Sequence, residues 1–419
     1  MEQTNIHNEN KIAFSALVFA TIVFGINSFN IVSIFYLIAA EFGQDVSLLG
    51  LITATVVVGI GLLQIPSGIM AAKYGPRNTA IVGMLVIMIS AALIGVSTDI
   101  YQIAIFRFVL GGGLALFFPS AIVLSAQNVR KGSEALAVGV TAGSAQVGIV
   151  IGLVGWALLA ASIGWRSSII IGAVLAAIAA AILYLLLPPR MKIITRNNKQ
   201  QSLTIQLRHI RSLLTDKSLI ILGIILLGSQ ASFEQGLAFT PFYLQESFRV
   251  EPVLAGLIGS LVPLAAIAGS PITGWLYDKK RNLSRLVFVL AGGLLVGTSI
   301  NYFGILPAAI ASTLIVGFIG GGLFTLLSNA ARERVAAGSG KHKLEYTTLS
   351  VNWIHAIALT GTFWAPVVFS SAALGYGYGI AWTLIGAISF ALILIFSLIE
   401  RHHSNRNYDD ALSKGLKDE

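Results

Sequence analysis

The chain has 419 residues, 56% of them hydrophobic and 11% charged, with a mean hydropathy of +0.83. Soluble domains carry about 25% charged residues and disordered chains are poor in apolar ones, so both classes are excluded and an integral membrane protein is indicated. The absence of cysteine excludes a disulfide framework, a thiolate metal site and a cysteine nucleophile, while the net charge of +9 needs an explanation by position.

Apolar runs separated by short polar breaks predict twelve spans, each long enough to cross a hydrocarbon layer of about 30 Å. They fall at roughly 12–40, 47–72, 79–98, 100–127, 134–163, 167–187, 218–245, 252–276, 286–304, 306–331, 346–371 and 378–399. The first run is too long for a cleavable signal, lacks a basic leader beyond Lys11, and is followed at once by a second span. With a cytoplasmic N-terminus, the inner segments hold 24 of the 27 basic residues; Arg166 and Arg249 lie outside and Arg107 lies within a span. This asymmetry places both termini in the cytoplasm. Cationic loops at a lipid surface then account for the net charge without a nucleic-acid partner.

The longest break opens on Pro188-Pro189, which ends a helix. Within it Leu203, Leu207, Ile210 and Leu214 recur at helical spacing beside Arg208 and Arg211. This reads either as an amphipathic helix on the inner leaflet or as a disordered basic linker. The expected organisation is a six-helix bundle over 1–187, a cytoplasmic linker over 188–217, a second six-helix bundle over 218–399 and a cytoplasmic tail over 400–419.

An internal repeat supports that division. Leu49-Gly50-Leu51-Ile52 returns as Ala255-Gly256-Leu257-Ile258 at an offset of 206 (256 minus 50), and Gly68 returns as Gly274 at the same offset. Phe35-Tyr36-Leu37 returns as Phe242-Tyr243-Leu244 at 207 (242 minus 35), and Gly111-Gly112-Gly113-Leu114 returns as Gly320-Gly321-Gly322-Leu323 at 209 (320 minus 111). Two parallel halves around a midplane site are the architecture of a secondary transporter. The fold expected is all-α, with twelve transmembrane helices in two pseudo-symmetric bundles.

The loop after span two, Gly68-Ile-Met-Ala-Ala72-Lys73-Tyr74-Gly75-Pro76-Arg77, resembles the inner-loop signature of the major facilitator superfamily. Lys73, Gly75 and Arg77 fit it, but Ala72 stands at the acidic position. The second copy, Gly274-Trp275-Leu276-Tyr277-Asp278-Lys279, keeps its acid. The resemblance implies an inner-gate latch that leans on this second copy. Arg107 followed by Gly111-Gly112-Gly113 resembles the superfamily's fourth-helix motif, associated with proton-coupled members, and Gly164-Trp165-Arg166 also resembles the superfamily. The fifth span has Gly143, Gly148, Gly152 and Gly155 but lacks the Gly-Pro pair of antiporters. A likeness to nitrate/nitrite-type porters is confined to span two, where Gln64 stands in place of an arginine.

A polar side chain within the bilayer is costly, about 2.5–3.5 kcal/mol for a centred Arg or Asp on insertion scales, so each needs a reason. Glu234 lies near the middle of span seven with Gln230 one turn earlier. A carboxyl away from water holds a proton that renewed hydration releases, a cycle that alternating access supplies. The bland alternative is a permanently protonated acid bonded to neighbouring helices. Arg107 stays charged, so it can hold an anionic group or steady an acid, or it can simply pin helices through backbone carbonyls. His355 sits in span eleven with Asn352 on one helical face, and its counterpart at offset 209 is Gln146. It reads as a coupling group or as a neutral histidine satisfied by a neighbour. Asn27 and Asn30 share a face of span one, and Gln64 precedes Pro66, where a loosened backbone could line a cavity.

The expected function is alternating-access transport of a small organic solute, coupled to protons, with symport favoured. A nearly neutral cavity suits a zwitterion, a weak acid or a neutral solute. The alternatives are a proton-coupled exporter of amphipathic drugs and a transport-inactive receptor. An enzyme is not expected, because the chain lacks the motif HExxH, a Walker A loop and clustered acids. No metal or cofactor is expected, and the setting is a monomer in a prokaryotic plasma membrane.

Overall fold

The computed structural model describes residues 2–43, 45–129, 134–188, 215–280, 282–336, 350–351, 353–359 and 362–415. The expected linker therefore lies almost wholly outside the described residues, as does Asn352. The helices are α1 (Glu2–Ser28), α2 (Phe35–Phe42), α3 (Val46–Tyr74), α4 (Pro76–Gly95), α5 (Ile100–Gln127), α6 (Glu134–Ile163) and α7 (Trp165–Leu186) in the first half. The second half has α8 (Lys217–Phe248), α9 (Pro252–Gly259), α10 (Leu261–Lys280), α11 (Leu283–Ser299), α12 (Leu306–Ala336), α13 (Trp364–Tyr376) and α14 (Tyr378–Gly415). Residues 350–351 and 353–359 are also helical and lead toward α13.

Among the described residues eleven segments are long and apolar enough to cross a membrane, and α3, a helix of 29 residues, makes the twelfth crossing of this all-helical fold. Helices are the economical solution because a bilayer offers no partner for a free backbone N–H or C=O. Their ends are set by local chemistry. Asp99, Asp216 and Asn282 accept from the backbone N–H of Tyr101, Leu219 and Arg285 at 2.7, 3.1 and 3.0 Å, each capping a helix start. Gly75, at φ +85°, turns the chain between α3 and α4, and Pro76 occupies the first helical position. Along α5 the exposed Tyr101, Ile105 and Val109 form a lipid-facing stripe, while Leu110, Leu114, Phe117 and Leu124 are buried.

Close helix packing obeys the repeat. A Cβ on Gly111 would meet the Val56 carbonyl, and one on Gly321 would meet the Ala266 carbonyl, 210 residues on in both members. Gly59 abuts the Phe108 carbonyl as Gly269 abuts that of Phe318, 210 residues on in both. So α3 packs on α5 as α10 packs on α12, through backbones that only glycine lets approach.

The two halves meet toward the face opposite the one that bears Lys73, Arg77, Lys279 and Arg285. There Gly50 of α3 lies against Pro366 and Ser370 of α13, and Gly256 of α9 lies against Leu153 of α6. Phe35 packs edge-on against Phe242 at 5.4 Å, and Gln245 Nε2 donates to the Ser33 carbonyl at 3.4 Å. Toward the basic face, the core formed by Leu219, Leu226, Leu290, Leu327, Ala331 and Ile354 belongs to the second half alone among the described residues.

Candidate functional site

The first half presents a buried cation. Arg107 on α5 is 1% exposed, and its Nη1 donates to Asn30 Oδ1 at 2.7 Å. Asn30 is not on a helix. The first crossing stops at Ser28, turns through residues 29–31, forms a short 3-10 helix (Val32–Ile34) and resumes as α2. Phe29 to Ile34 holds no Gly or Pro, and the physical cause is the β-branched Ile31-Val32 and Ile34 together with Asn30 and Ser33, all weak helix formers. The expected common face of Asn27 and Asn30 is replaced by two separate attachments. Asn27 Nδ2 donates to the Val23 and Gly172 carbonyls at 3.0 and 3.3 Å, tying α1 to α7, whereas Asn30 joins the turn to α5.

Two donors at this junction are unfilled. Arg107 Nε and Asn30 Nδ2 are buried and have no hydrogen-bond partner, and Arg107 forms no ion pair among the described residues. A buried donor without an acceptor costs about 1–3 kcal/mol, and more when charged, so the junction favours an added acceptor. Asn27 Oδ1 and the half-buried Gln146 of α6, through Oε1, are likewise unpartnered. Gln64 is half-buried on α3, two residues before Pro66.

The second half presents an acid on a continuous helix. From Gly228 to Leu244, every residue of α8 is buried except Glu234, which retains partial exposure. Glu234 makes no hydrogen bond or ion pair among the described residues, and none joins it to Arg107. Gln230, one turn earlier, is 7% exposed. Its neighbour Gln235 is fully buried with both amide atoms unpartnered; the sequence reading passed it over, although an amide beside an intramembrane acid is itself a signal. His355 is set apart from this acid. Its Nε2 lies 2.9 Å from Ser328 Oγ, and its ring stacks on Phe324 at 4.3 Å, both on α12.

The loop residues form a ring of contacts at the basic face. Arg77 donates from Nε to the Leu187 carbonyl at 2.8 Å and from Nη2 to the Tyr184 carbonyl at 2.6 Å, closing the end of α7. Lys73 lies over the Tyr74 ring and Lys279 over the Trp275 ring, each 5.1 Å from the centroid. Gly68 and Gly274 lie within α3 and α10 with little packed against them. The side chain of Asp278 is outside the described residues. At the opposite face Glu41 pairs with Arg166 at 2.5 Å and accepts from Trp165 Nε1 at 2.7 Å. Among the described residues no group of three or more His, Asp or Glu is arranged to hold a metal.

Comparison with known proteins fits this geometry. Residues 17–343 match the Major Facilitator Superfamily profile. The chain is 24% identical over 373 residues to a nitrite extrusion protein of Bacillus subtilis, covering 86% of this chain and 88% of that one. It is 25% identical over 166 residues to a 4-hydroxybenzoate transporter of Pseudomonas putida, covering 39% of this chain and 36% of that one. In fold it is similar to a bacterial homologue of the human lysosomal transporter Spinster, solved inward-facing and unoccupied, with a TM-score of 0.74 at 16% identity over 94% of this chain and 97% of that one. The chain belongs to the major facilitator superfamily and is a membrane transporter of small solutes.

Proposed function

From that membership we propose that the protein is a symporter of protons and a small organic anion, in which Arg107 receives the anionic group and Glu234 the proton. The carrying observation is the Arg107–Asn30 junction: a buried guanidinium without a carboxylate partner among the described residues, beside two unfilled N–H donors. A carboxylate supplies two oxygens and a compensating charge, and charge-assisted bonds are about twice as strong as neutral ones. Glu234 supports the proton half because it is the one partly exposed residue between Gly228 and Leu244 of α8 and makes no hydrogen bond or ion pair among the described residues.

The solutes named for two relatives agree in charge, since nitrite and 4-hydroxybenzoate are both small anions. A cavity of one cation and one titratable acid takes a monoanion with a proton as a neutral load, which minimises the cost of charge at the midplane. The word extrusion in the name of the Bacillus subtilis relative supports a second reading, in which the same site exports its anion. Asn27, Gln64, Gln146, Gln230 and Asn352 are proposed as further lining, with His355 as a wall of the cavity. The basic face is assigned to the cytoplasm of a prokaryotic plasma membrane by its lysines and arginines, so the conformation is closed on the outside. A monomer suffices, because each chain holds both halves of the site.

The test is uptake of radiolabelled 4-hydroxybenzoate, benzoate and nitrite into proteoliposomes with and without an inward proton gradient. Accumulation that the gradient drives and Arg107→Met abolishes supports the proposal. Uptake confined to lipophilic cations and driven by an outward-directed proton gradient, in exchange of substrate for protons, would make the protein a drug exporter. Saturable binding without flux would make it a receptor.

A further inference from the structure

The Arg107–Asn30 bond is an unusual place for a polar contact, because it fastens a membrane helix to a turn. Asn30 is fully buried and stands two residues after the end of α1. The backbone that follows it within two to five residues builds the seal between the halves. Val32 packs with Phe233 and Leu237 of α8, the Ser33 carbonyl takes the Gln245 bond, and Phe35 meets Phe242. Above the seal a cleft of about 490 Å³ opens to the outside, lined on the first-half side by Tyr36, Ala39 and Ala40. The break in the first crossing thus connects the candidate anion site directly to the outer closure, with no intervening element.

We propose that Asn30 is a positioning residue that couples occupancy of Arg107 to the outer gate. In the empty site its amide oxygen satisfies one guanidinium N–H and so holds the turn, and with it α2, in the closed position. An incoming carboxylate competes for the same donors with a full charge against the neutral amide oxygen. Once displaced, Asn30 releases the turn, and α2 swings about residues 29–31 while α1 stays fixed to α7 through Asn27 and Gly172. A turn between two helices absorbs such a change in backbone angles at low cost, as hinge segments do. The anion effect rests on the assignment of Arg107 to the substrate; the tether itself stands on the geometry.

The native chain has no cysteine, so a cysteine placed at Ala39, which is 7% exposed in the closed form, reports the gate through its reaction with an impermeant maleimide on intact cells. Without any added anion, Asn30→Ala removes the acceptor and raises the labelling rate several-fold. Asn30→Asp keeps the acceptor and adds charge, and it lowers the rate below that of the parent. A side chain with only a structural role would shift both variants in the same direction, so a same-sign change, or none, overturns the proposal. In transport, Asn30→Asp lowers the maximal rate and raises KM together, because the anion must displace a carboxylate. Benzoate added to the parent raises labelling if Arg107 receives the anion. If benzoate has no effect while the opposite signs persist, the tether stands and the assignment of Arg107 to the substrate fails.

Discussion

In the first half, the helix that enters the site ends at Ser28, turns through residues 29–31 and resumes at Phe35, with its polar residues fastened to α5 and α7. Its counterpart in the second half, α8, runs unbroken for 32 residues and presents Glu234 fastened to nothing among the described residues. Yet the two halves bring their glycines against equivalent carbonyls at a matching offset, Gly111 on Val56 and Gly321 on Ala266. The duplicated unit has therefore kept the backbone approach that lets helices pack, and has diverged in its polar side chains. By the offset of 209 that relates the two Gly-Gly-Gly-Leu runs, Arg107 corresponds to Val316, a buried apolar residue that packs beside Gly236. In the proposed function this symmetric scaffold with asymmetric chemistry separates the two loads, the anion on the tethered cation and the proton on the acid.

The largest expected effect breaks the comparison at its cation. Arg107→Met removes charged hydrogen bonds to the substrate worth about 3 kcal/mol together, so transport falls about 100-fold or more. Because an unpaired buried charge is replaced by an apolar chain of similar length, the melting temperature stays level or rises. A matching loss of stability and transport would instead make Arg107 a structural pin. The equivalent change in the second half, Val316→Ala, opens a small cavity and leaves the substrate affinity intact.

Next, Glu234→Gln removes the titratable group while keeping shape. Accumulation driven by a proton gradient is lost, and exchange of labelled for unlabelled substrate across the membrane persists. Counterflow assays on the same proteoliposomes separate the two.

The packing half of the comparison is tested by adding a methyl group to either copy of the glycine contact. Gly111→Ala and Gly321→Ala each force backbones apart and cost about 1–3 kcal/mol, readable as similar falls in melting temperature. Gly143, which has nothing within reach of an added Cβ, tolerates Ala with a gain of up to about 1 kcal/mol. The smallest effect belongs to His355. His355→Phe keeps the ring stacked on Phe324 and loses the bond to Ser328, about 1 kcal/mol, while the ratio of protons to solute is unchanged.

The twelve-helix fold was legible because each span is an apolar run set off by short polar breaks. The expected spans 100–127 and 134–163 coincide with α5 and α6. The break at residues 29–34 was not legible, because a run of Phe, Ile and Val reads as continuous span and carries neither Gly nor Pro to interrupt it. That is why Asn27 and Asn30 were expected on one face and instead bond to different helices. Arg107 and Glu234 stood out as isolated charges in apolar surroundings. What they touch depends on helices 77 residues and more apart in sequence, as Asn30 and Arg107 are, which local periodicity does not encode. Arg77 was assigned to the loop signature by resemblance, and only the fold revealed its carbonyl partners, Leu187 and Tyr184.

The division of labour between the halves is tested most directly by measuring solute uptake and lumenal pH together in proteoliposomes of the parent and of Glu234→Gln. If the proton travels through Glu234, uptake by the parent acidifies the lumen and follows the imposed gradient, and the variant exchanges solute with no movement of protons. Parent uptake that ignores a collapsed gradient, with parental rates in Glu234→Gln, would contradict proton coupling through this acid.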